Sequence, residues 1–414
     1  MFAMLNGLHR LGGAKHAPTA IDLFSGAGGI TLGLAQAGFD VRLSADISAA
    51  CGVTHQRNFP RIPFLQCDVS RASADSFLKH ARVKPGELDL LIGGPPCQGF
   101  SILGRREADD PRNGLFRDFF RVASKVKPKV VVIENVPGLA TLNDGLLLQQ
   151  IGRSFDRAGY NADCAELLAA QYGVPQMRWR MFFIGWRKDL GLSGLGFPAP
   201  THGRRGIGDL VPNHTISPDD MKGFVSIRDA IGDLPVINSG ELLSIYDGKP
   251  TTTYQRLMRV GMGRRLYNHY APKLSPQNLR RIEHLKPGED WRNLPYELLP
   301  RGMQQALRKD HTRRYRRMTW EGIARSIITR FRDPKSGEYI HPSQKRTISI
   351  REAARIQSFP DWFEFTGNYS EQYEQVGNAV PPLLASAVAM ELYRGLTGAV
   401  KDSDPVKSRY KFVA

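Results

Sequence analysis

Cysteine is scarce: Cys51, Cys67, Cys97 and Cys164 are the only four in 414 residues, and no two form a CxxC pair. That spacing excludes a zinc ribbon or a disulfide scaffold and suits a reducing compartment. Long apolar runs are missing too, and none approaches the roughly 20 residues of a membrane span. The opening MFAMLNGLHRLGGAKHAPTA holds no sustained apolar core, so it reads as a loose tail rather than a secretory leader. Acidic residues are outnumbered, 40 against 57 Lys and Arg, for a net charge of +17. No internal repeat or low-complexity tract is present.

The positive excess is concentrated. Residues 251–350 carry 22 Lys and Arg against 8 Asp and Glu, while the rest of the chain is close to balanced. The excess is Arg-rich and interleaved with aromatics, as in RKDHTRRYRRMTW. Guanidinium forks match phosphate oxygens and guanine edges, so a nucleic acid is the natural polyanion partner.

The first half alternates short apolar runs with helical patterns, which predicts an α/β fold with a doubly wound, mostly parallel sheet. AIDLF, VRLSAD, FLQCD, LDLLIGG, KVVVIEN and RMFFIGW read as strands. ITLGLAQAG reads as a helix capped by Gly38, and VGNAVPPLLASAVAMELYRGL as a later helical pattern. From about residue 196 the texture turns to Gly, Pro, His and charge. We therefore expect a tail over 1–18, a catalytic domain over 19–195, and a smaller basic domain over 196–367. A return segment over 368–398 would complete the first domain, followed by a tail over 399–414.

The turn after the first strand carries Gly26, Gly28 and Gly29, a general nucleotide-cofactor device. A dinucleotide fingerprint needs glycine at position 31, which is Thr31. Asp22 would repel a pyrophosphate and suits a ligand with a cationic or amino-bearing tail, such as S-adenosylmethionine. Asp46 closes the second strand, placed for ribose hydroxyls; Asp68 closes the third, placed for an adenine amino group; Phe24 can pack on the adenine face. Singly, each acid is an ordinary strand-end turn former. Three in register after successive strands argue for a ligand.

GGPPCQGFS delivers Cys97 into a loop after the fourth strand, with two glycines and two prolines setting the backbone. Glu134 ends the fifth strand, and Arg178 and Arg180 precede MFFIGW. Residues that follow parallel strands share one rim of an open sheet, and an antiparallel last strand would begin on that rim. A thiol, a carboxyl group and two guanidinium groups are thus expected beside the glycine loop. Cys51, Cys67 and Cys164 read as small buried hydrophobes.

DLFSGAGG, GGPPCQGFS, ENVPG, QYGVPQMRWR, REAARIQSFP and QVGNAVPP, in that order, resemble the motif series of cytosine-5 DNA methyltransferases of the bacterial restriction-modification type. The likeness runs over about residues 20–396. It implies a sheet of the S-adenosylmethionine-dependent methyltransferase type with a smaller DNA-recognition domain, recognition residues falling within about 231–344. Cys97 would be the nucleophile, Glu134 the carboxyl group at cytosine N3, and Gln176, Arg178 and Arg180 the Gln-x-Arg-x-Arg motif, with Arg180 at the ring oxygen. Phe24, Gly26, Ala27, Gly28, Gly29, Asp46, Ile47, Asp68, Val69, Pro96, Leu115, Asn378 and Val380 would meet the methyl donor, S-adenosylmethionine, leaving S-adenosylhomocysteine as product. Asp46 departs from the glutamate frequent there. No metal is expected.

The chemistry explains the residue types. Thiolate addition at carbon 6 turns cytosine into an enamine whose carbon 5 can accept a methyl group, and cysteine leaves again easily. A stacked base must first be flipped out, at a cost of a few kcal/mol. Gln98, Ser101, Arg105, Arg106, Gln176, Arg313, Arg314, Arg316 and Arg317 are the expected DNA contacts, with the polar loop 101–113 closing over the duplex. REAARIQSFPDWF reads as a structural brace through Arg351 and Arg355, and arginine readout favours a G/C-containing site.

The expected partners are double-stranded DNA and a cognate restriction endonuclease acting on the same site; the chain is expected to be monomeric and cytoplasmic, with no membrane contact. A tRNA cytosine-5 methyltransferase is the nearest rival, but its Cys-Phe-Thr element has no counterpart after Cys164. A silent DNA-binding paralogue is disfavoured by intact Cys97, Glu134 and Arg180. An NAD-dependent oxidoreductase fails on Thr31 and Asp22.

Overall fold

The structure, a computed structural model, describes residues 17–96, 114–139, 146–192, 195–203, 221–305 and 313–398. The chain divides into two compact units: Met1–Gly173, Trp179–Gly223 and Val380–Ala414 form the first, Val174–Arg178 and Phe224–Ala379 the second. Relative to the expected domains, the described parts of 196–223 cluster with the first unit and residues 368–379 with the second.

In the first unit the elements alternate as β1 (Thr19–Leu23), α1 (Gly29–Ala37), β2 (Asp40–Asp46), α2 (Ala49–Asn58), β3 (Phe64–Gln66) and α3 (Ala74–Ala81). Then follow β4 (Leu90–Gly93), α4 (Leu115–Val126), β5 (Val130–Asn135), α5 (Leu146–Arg157), β6 (Tyr160–Leu168) and β7 (Trp179–Arg187). They build one seven-stranded sheet in the order β3-β2-β1-β4-β5-β7-β6. The first five strands are parallel, and β7 runs antiparallel to both β5 and β6. This is the doubly wound, mostly parallel α/β sheet expected of the sequence.

Local chemistry accounts for the elements. All six residues of β5 are buried, as a strand covered on both faces requires. In α4 the buried positions Phe116, Phe119, Phe120, Val122, Ala123 and Val126 follow helical spacing, while Arg117, Arg121 and Lys125 stay exposed. Phe119 joins Ile21, Leu43, Leu91, Val131 and Phe183 in the core, and cutting it to alanine would cost about 3–5 kcal/mol. Gly38 ends α1 in the left-handed region, φ 96°, as its sequence position predicts. Gly33 of α1 permits close approach of the C-terminal helix Pro382–Thr397, because a Cβ there would stand 2.5 Å from that of Ala385.

The single helical pattern expected through VGNAVPPLLASAVAMELYRGL is two helices. Tyr369–Asn378 ends before an extended Ala379 (ψ 145°), and Pro382–Thr397 starts with proline in its first turn. Proline cannot continue a helix and biases its predecessor to extended angles, so the double proline breaks the pattern.

The second unit has little regular structure. Ile282, Leu285, Trp291, Leu294, Tyr315 and Ile340 belong to its apolar core. Around the helix Ile350–Ile356, whose seven residues are all buried, three fully buried arginines do much of the joining. Arg346 forks onto Glu352 through two bonds of 2.7 Å. Arg355 holds Asp361 at 2.9 and 2.7 Å and also pairs with Asp233. Arg351 donates to the carbonyls of Tyr267, Pro360 and Phe363 at 2.8, 3.1 and 2.6 Å. Arg351 and Arg355 are therefore braces, since removing one partner of such a pair strands a buried charge.

Candidate active site

The glycine loop is bent by three positive φ angles, 57° at Phe24, 54° at Gly26 and 105° at Gly28. At Gly28 a Cβ would lie 2.6 Å from the Phe59 ring, so this turn admits glycine alone; at Gly26 a Cβ would meet nothing within 4 Å. Asp46 ties the loop down: its Oδ2 accepts from Gly26 N and its Oδ1 from Ser48 N, each at 2.9 Å. A carboxylate offers about four lone-pair sites, so Asp46 keeps acceptor capacity for a ribose.

Asp22 lies deeper than its sequence position suggested. It is fully buried; its Oδ2 accepts from Thr31 Oγ1 at 2.7 Å, and Thr31 in turn meets Ser44 Oγ at 3.0 Å. Its Oδ1 has no hydrogen-bond partner among the described residues. Burial is the main reason its carboxyl is pushed up to about 7.

At the end of β3, Asp68 Oδ1 accepts from Ser70 N at 2.9 Å and Ser70 Oγ at 2.7 Å, and these bonds hold its carboxyl below the ordinary value. Ile47 is 66% exposed, an unusual state for an apolar side chain, next to Asp46 on the same rim. Pro96 is exposed and Leu115 and Phe24 are half-buried, whereas the Val69 and Val380 side chains are buried. Asn378 is exposed and belongs to the second unit. A glycine cradle with open space at Gly26, followed by Asp46 and Asp68 on successive strand ends, leaves room for a nucleoside. Asp22, buried beneath the loop, is not placed to meet a ligand's amino-bearing tail, which corrects that expectation.

β7 is antiparallel to β5, with Glu134 opposite Phe182 and Asn135 opposite Met181, so Arg180 falls at the carboxyl end of β5. There Arg180 Nε meets Glu134 Oε1 at 2.7 Å, with the two side chains 13% and 9% exposed. Burial lowers the Arg180 guanidinium from its ordinary value, and the Glu134 charge opposes that shift. Asn135, which sequence reasoning passed over, donates from Nδ2 to Pro95 O at 3.0 Å and accepts at Oδ1 from Val136 N at 2.9 Å. It clamps the proline loop to the rim beside Glu134. Gly94 approaches so closely that a Cβ there would stand 3.0 Å from Glu134 Oε2. The signal for Asn135 was its place directly after Glu134 in the ENV triplet.

Cys97, Gln98, Ser101, Arg105 and Arg106 lie outside the described residues. Among the other cysteines, Cys164 is buried, but Cys51 and Cys67 are only half-buried, correcting their reading as core residues.

Three further expectations are corrected within the second unit. Arg178 is buried and donates to the carbonyls of Ile327, Gly377 and Ala379 at 2.7, 3.2 and 3.1 Å, so it braces chain segments rather than reaching a reacting base. Gln176 is fully buried; its amide nitrogen serves Ile356 O and Gln357 Oε1, and its oxygen accepts from Ile327 N. Arg317 is buried and donates to four carbonyls, those of Ile282, His341, Pro342 and Gln344. Both side chains are buried and turned inward, the unbonded Arg317 Nε included, so neither presents a polar group to DNA. Arg313 and Arg314 remain exposed, and Arg316 is half-buried between Asp290 (3.5 Å) and Glu338 (3.3 Å).

No group of three or more His, Cys, Asp or Glu that could hold a metal occurs among the described residues. No described helix is long and apolar enough to cross a membrane.

Comparison with known proteins identifies the family and the fold. The family described as C-5 cytosine-specific DNA methylase matches residues 19–394. Type II methyltransferase M1.HphI of Haemophilus parahaemolyticus is 38% identical over 374 residues, spanning 90% of this chain and 85% of that protein. Type II methyltransferase M.XorII of Xanthomonas oryzae pv. oryzae is 34% identical over 394 residues, spanning 92% and 85%. Among solved structures, one described as a DNA modification methyltransferase encoded within an E. coli prophage aligns with a TM-score of 0.68 at 27% identity, covering 92% of this chain and all of that one. S. pombe Dnmt2 methyltransferase aligns at 0.55 with 15% identity, over 92% of this chain and 98% of its own, a likeness of fold alone.

Proposed function

The chain belongs to the C-5 cytosine-specific DNA methylase family and is a DNA (cytosine-5-)-methyltransferase of the type II kind; from that premise we infer that it methylates a flipped-out cytosine in duplex DNA through a covalent Cys97 adduct. The observation that carries this reading is the Glu134–Arg180 pair on the carboxyl rim of the sheet, with Asn135 fixing the proline loop one residue further on. The pair presents a carboxyl group and a guanidinium in fixed relation, matched to N3 and O2 of a cytosine ring. With Glu134 carrying or sharing a proton, its hydrogen bond to N3 and the Arg180 cation at O2 draw electron density from carbon 6. The Cys97 thiolate adds there, carbon 5 becomes nucleophilic, and loss of the carbon-5 proton then lets the thiolate leave.

Phe24, Gly26, Asp46 and Asp68 are the residues that would hold S-adenosylmethionine. When bound, it supplies an electrophilic methyl group on a sulfonium, which carbon 5 accepts. Asp46 accepts from the ribose hydroxyls in this reading, and Asp68 from the adenine amino group. Gln98, Ser101, Arg105, Arg106, Arg313, Arg314 and Arg316 are the DNA contacts that remain after Gln176 and Arg317 are withdrawn. A restriction endonuclease of the same specificity would be the partner.

The test is methyl transfer from labelled donor to duplex DNA or tRNA. We expect label at DNA cytosine carbon 5, and none with Cys97→Ala. DNA carrying 5-fluorocytosine at the target should trap the wild type as a stable adduct, because fluorine does not leave as a proton does. Label on tRNA alone would reassign the substrate, and an adduct with Cys97→Ala would reassign the nucleophile.

A further inference from the structure

We propose that Arg121, on the exposed face of α4, is a positioning residue that sets the enzyme's preference for adenine in its methyl donor. Its guanidinium Nη2 donates to Val69 O at 2.7 Å and to Ser70 O at 3.3 Å, and its Nη1 to Ala72 O at 3.0 Å. Asp118, one turn earlier on the helix, receives Arg121 Nε at 3.3 Å and so holds the fork in its plane. One side chain thus gathers three carbonyls from a single turn some fifty positions away in sequence.

That turn is the one that carries Asp68. Its internal bonds run from Ser70 N and Oγ to Asp68 Oδ1, and from Arg71 N and Ala72 N to Asp68 O. They make the turn compact, while the Val69 side chain in the core and the bond from Cys67 N to Asp46 O at 3.0 Å seat its base on the sheet. Beyond that seat the sheet gives little help, because β3 is three residues long and pairs with β2 alone, over Phe64–Gln66. Asp68 itself is half-buried, its side chain 33% exposed, and its ion-pair neighbour, Arg71 Nε at 3.6 Å, lies largely in solvent. Arg121 adds a polar tie from the outer part of this turn to α4.

Because Leu115 begins that same helix, Arg121 also fixes Asp68 and Val69 relative to a second proposed donor contact. An arginine at the surface contributes little to global stability through such contacts. Its effect falls on orientation, in which an error of about 1 Å is costly to a hydrogen bond.

The proposal rests on the reading of Asp68 as acceptor for the adenine amino group, and the experiment separates the two. S-adenosylhomocysteine and S-inosylhomocysteine differ at that amino group, replaced by a carbonyl oxygen that a carboxylate repels. Calorimetric titration of the full chain should show the adenine compound bound roughly ten- to hundredfold more tightly. Asp68→Asn should abolish that ratio. Arg121→Gln should reduce it to about threefold or less while the affinity for S-inosylhomocysteine holds within about threefold, and Arg121→Lys, which can still reach one carbonyl, should restore part of it. Asp118→Ala, which leaves Arg121 in place but removes the acceptor of its Nε, should give an intermediate ratio. Equal affinity of the wild type for both compounds overturns the Asp68 reading and the proposal with it. A wild-type ratio in both Arg121 variants, with Asp68→Asn flat, overturns the role of Arg121 alone.

Discussion

Glu134 and Arg180 should behave as one unit, and a double-mutant cycle measures whether they do. With nitrogen and oxygen 2.7 Å apart, their attraction in an effective dielectric of ~20 is about 6 kcal/mol. Both side chains are nearly buried, so desolvation offsets much of that attraction, which is also why the Arg180 guanidinium titrates below its ordinary value. A net coupling of roughly 2–3 kcal/mol should remain. Arg180→Gln leaves a buried carboxylate facing a neutral amide and should destabilise the first unit by about 3–5 kcal/mol. Glu134→Gln with Arg180→Gln removes both charges and should recover about half of that loss. Catalysis should follow the same logic: each single change lowers single-turnover methyl transfer by roughly 10²–10³, and the double change is no slower than the worse single by more than about threefold. The assays are urea titration and single-turnover transfer of labelled methyl to duplex DNA. Rate losses that simply multiply would refute the claim that the carboxyl and guanidinium groups act on one ring together.

Asp22→Asn probes burial under the glycine loop. The native carboxyl titrates at about 7 against an ordinary 3.8, so the folded chain holds a proton that the unfolded chain releases. That contribution to stability is complete below the unfolded value and is lost as pH rises through 7. Between pH 5 and pH 8 the wild type should therefore lose roughly 3 kcal/mol relative to Asp22→Asn in denaturant titrations, and a flat difference would contradict this. Gly28→Ala, at φ 105° and facing the Phe59 ring at 2.6 Å, should weaken S-adenosylhomocysteine binding and cost about 1–3 kcal/mol. Gly26→Ala meets open space and should cost only the backbone strain, about 1 kcal/mol; equal losses at the two positions would rule out the steric account. Arg314→Gln should reduce the slope of log affinity against log salt by about 1, as a lost phosphate contact does. Arg317→Gln should lower the melting temperature and leave that slope unchanged; a change in slope would return Arg317 to the DNA-contacting set.

Most of the sheet was legible because burial on both faces leaves continuous apolar runs. KVVVIEN and LDLLIGG announce β5 and β4, and Gly38 marks the end of α1 through its lack of a Cβ. β6 escaped notice because YNADCAELL sets exposed and half-buried polar positions among its buried ones, which blurs both the alternation and the run. The helix break at Asn378 was visible in the double proline, yet the apolar spacing on either side suggested continuity. At the site, ordered motifs identified Glu134 and Arg180, and antiparallel pairing of β7 brought them together. The Gln-x-Arg-x-Arg spacing could not reveal that Arg178 faces three carbonyls while Arg180, two positions on, faces a carboxylate.

The run RRYRRM shows where the two kinds of information part. Composition alone determined that this stretch is strongly cationic and belongs to a region suited to a polyanion, because charge is a property of residue type. Which arginines face outward was decided by the fold. Tyr315 takes a left-handed φ of 51° and is fully buried, and Arg317 turns inward to four carbonyls, that of Ile282 and those of His341, Pro342 and Gln344. Arg313 and Arg314 stay in water. A guanidinium serves an internal carbonyl as readily as a phosphate, so its role depends on which acceptors the folded chain brings within reach.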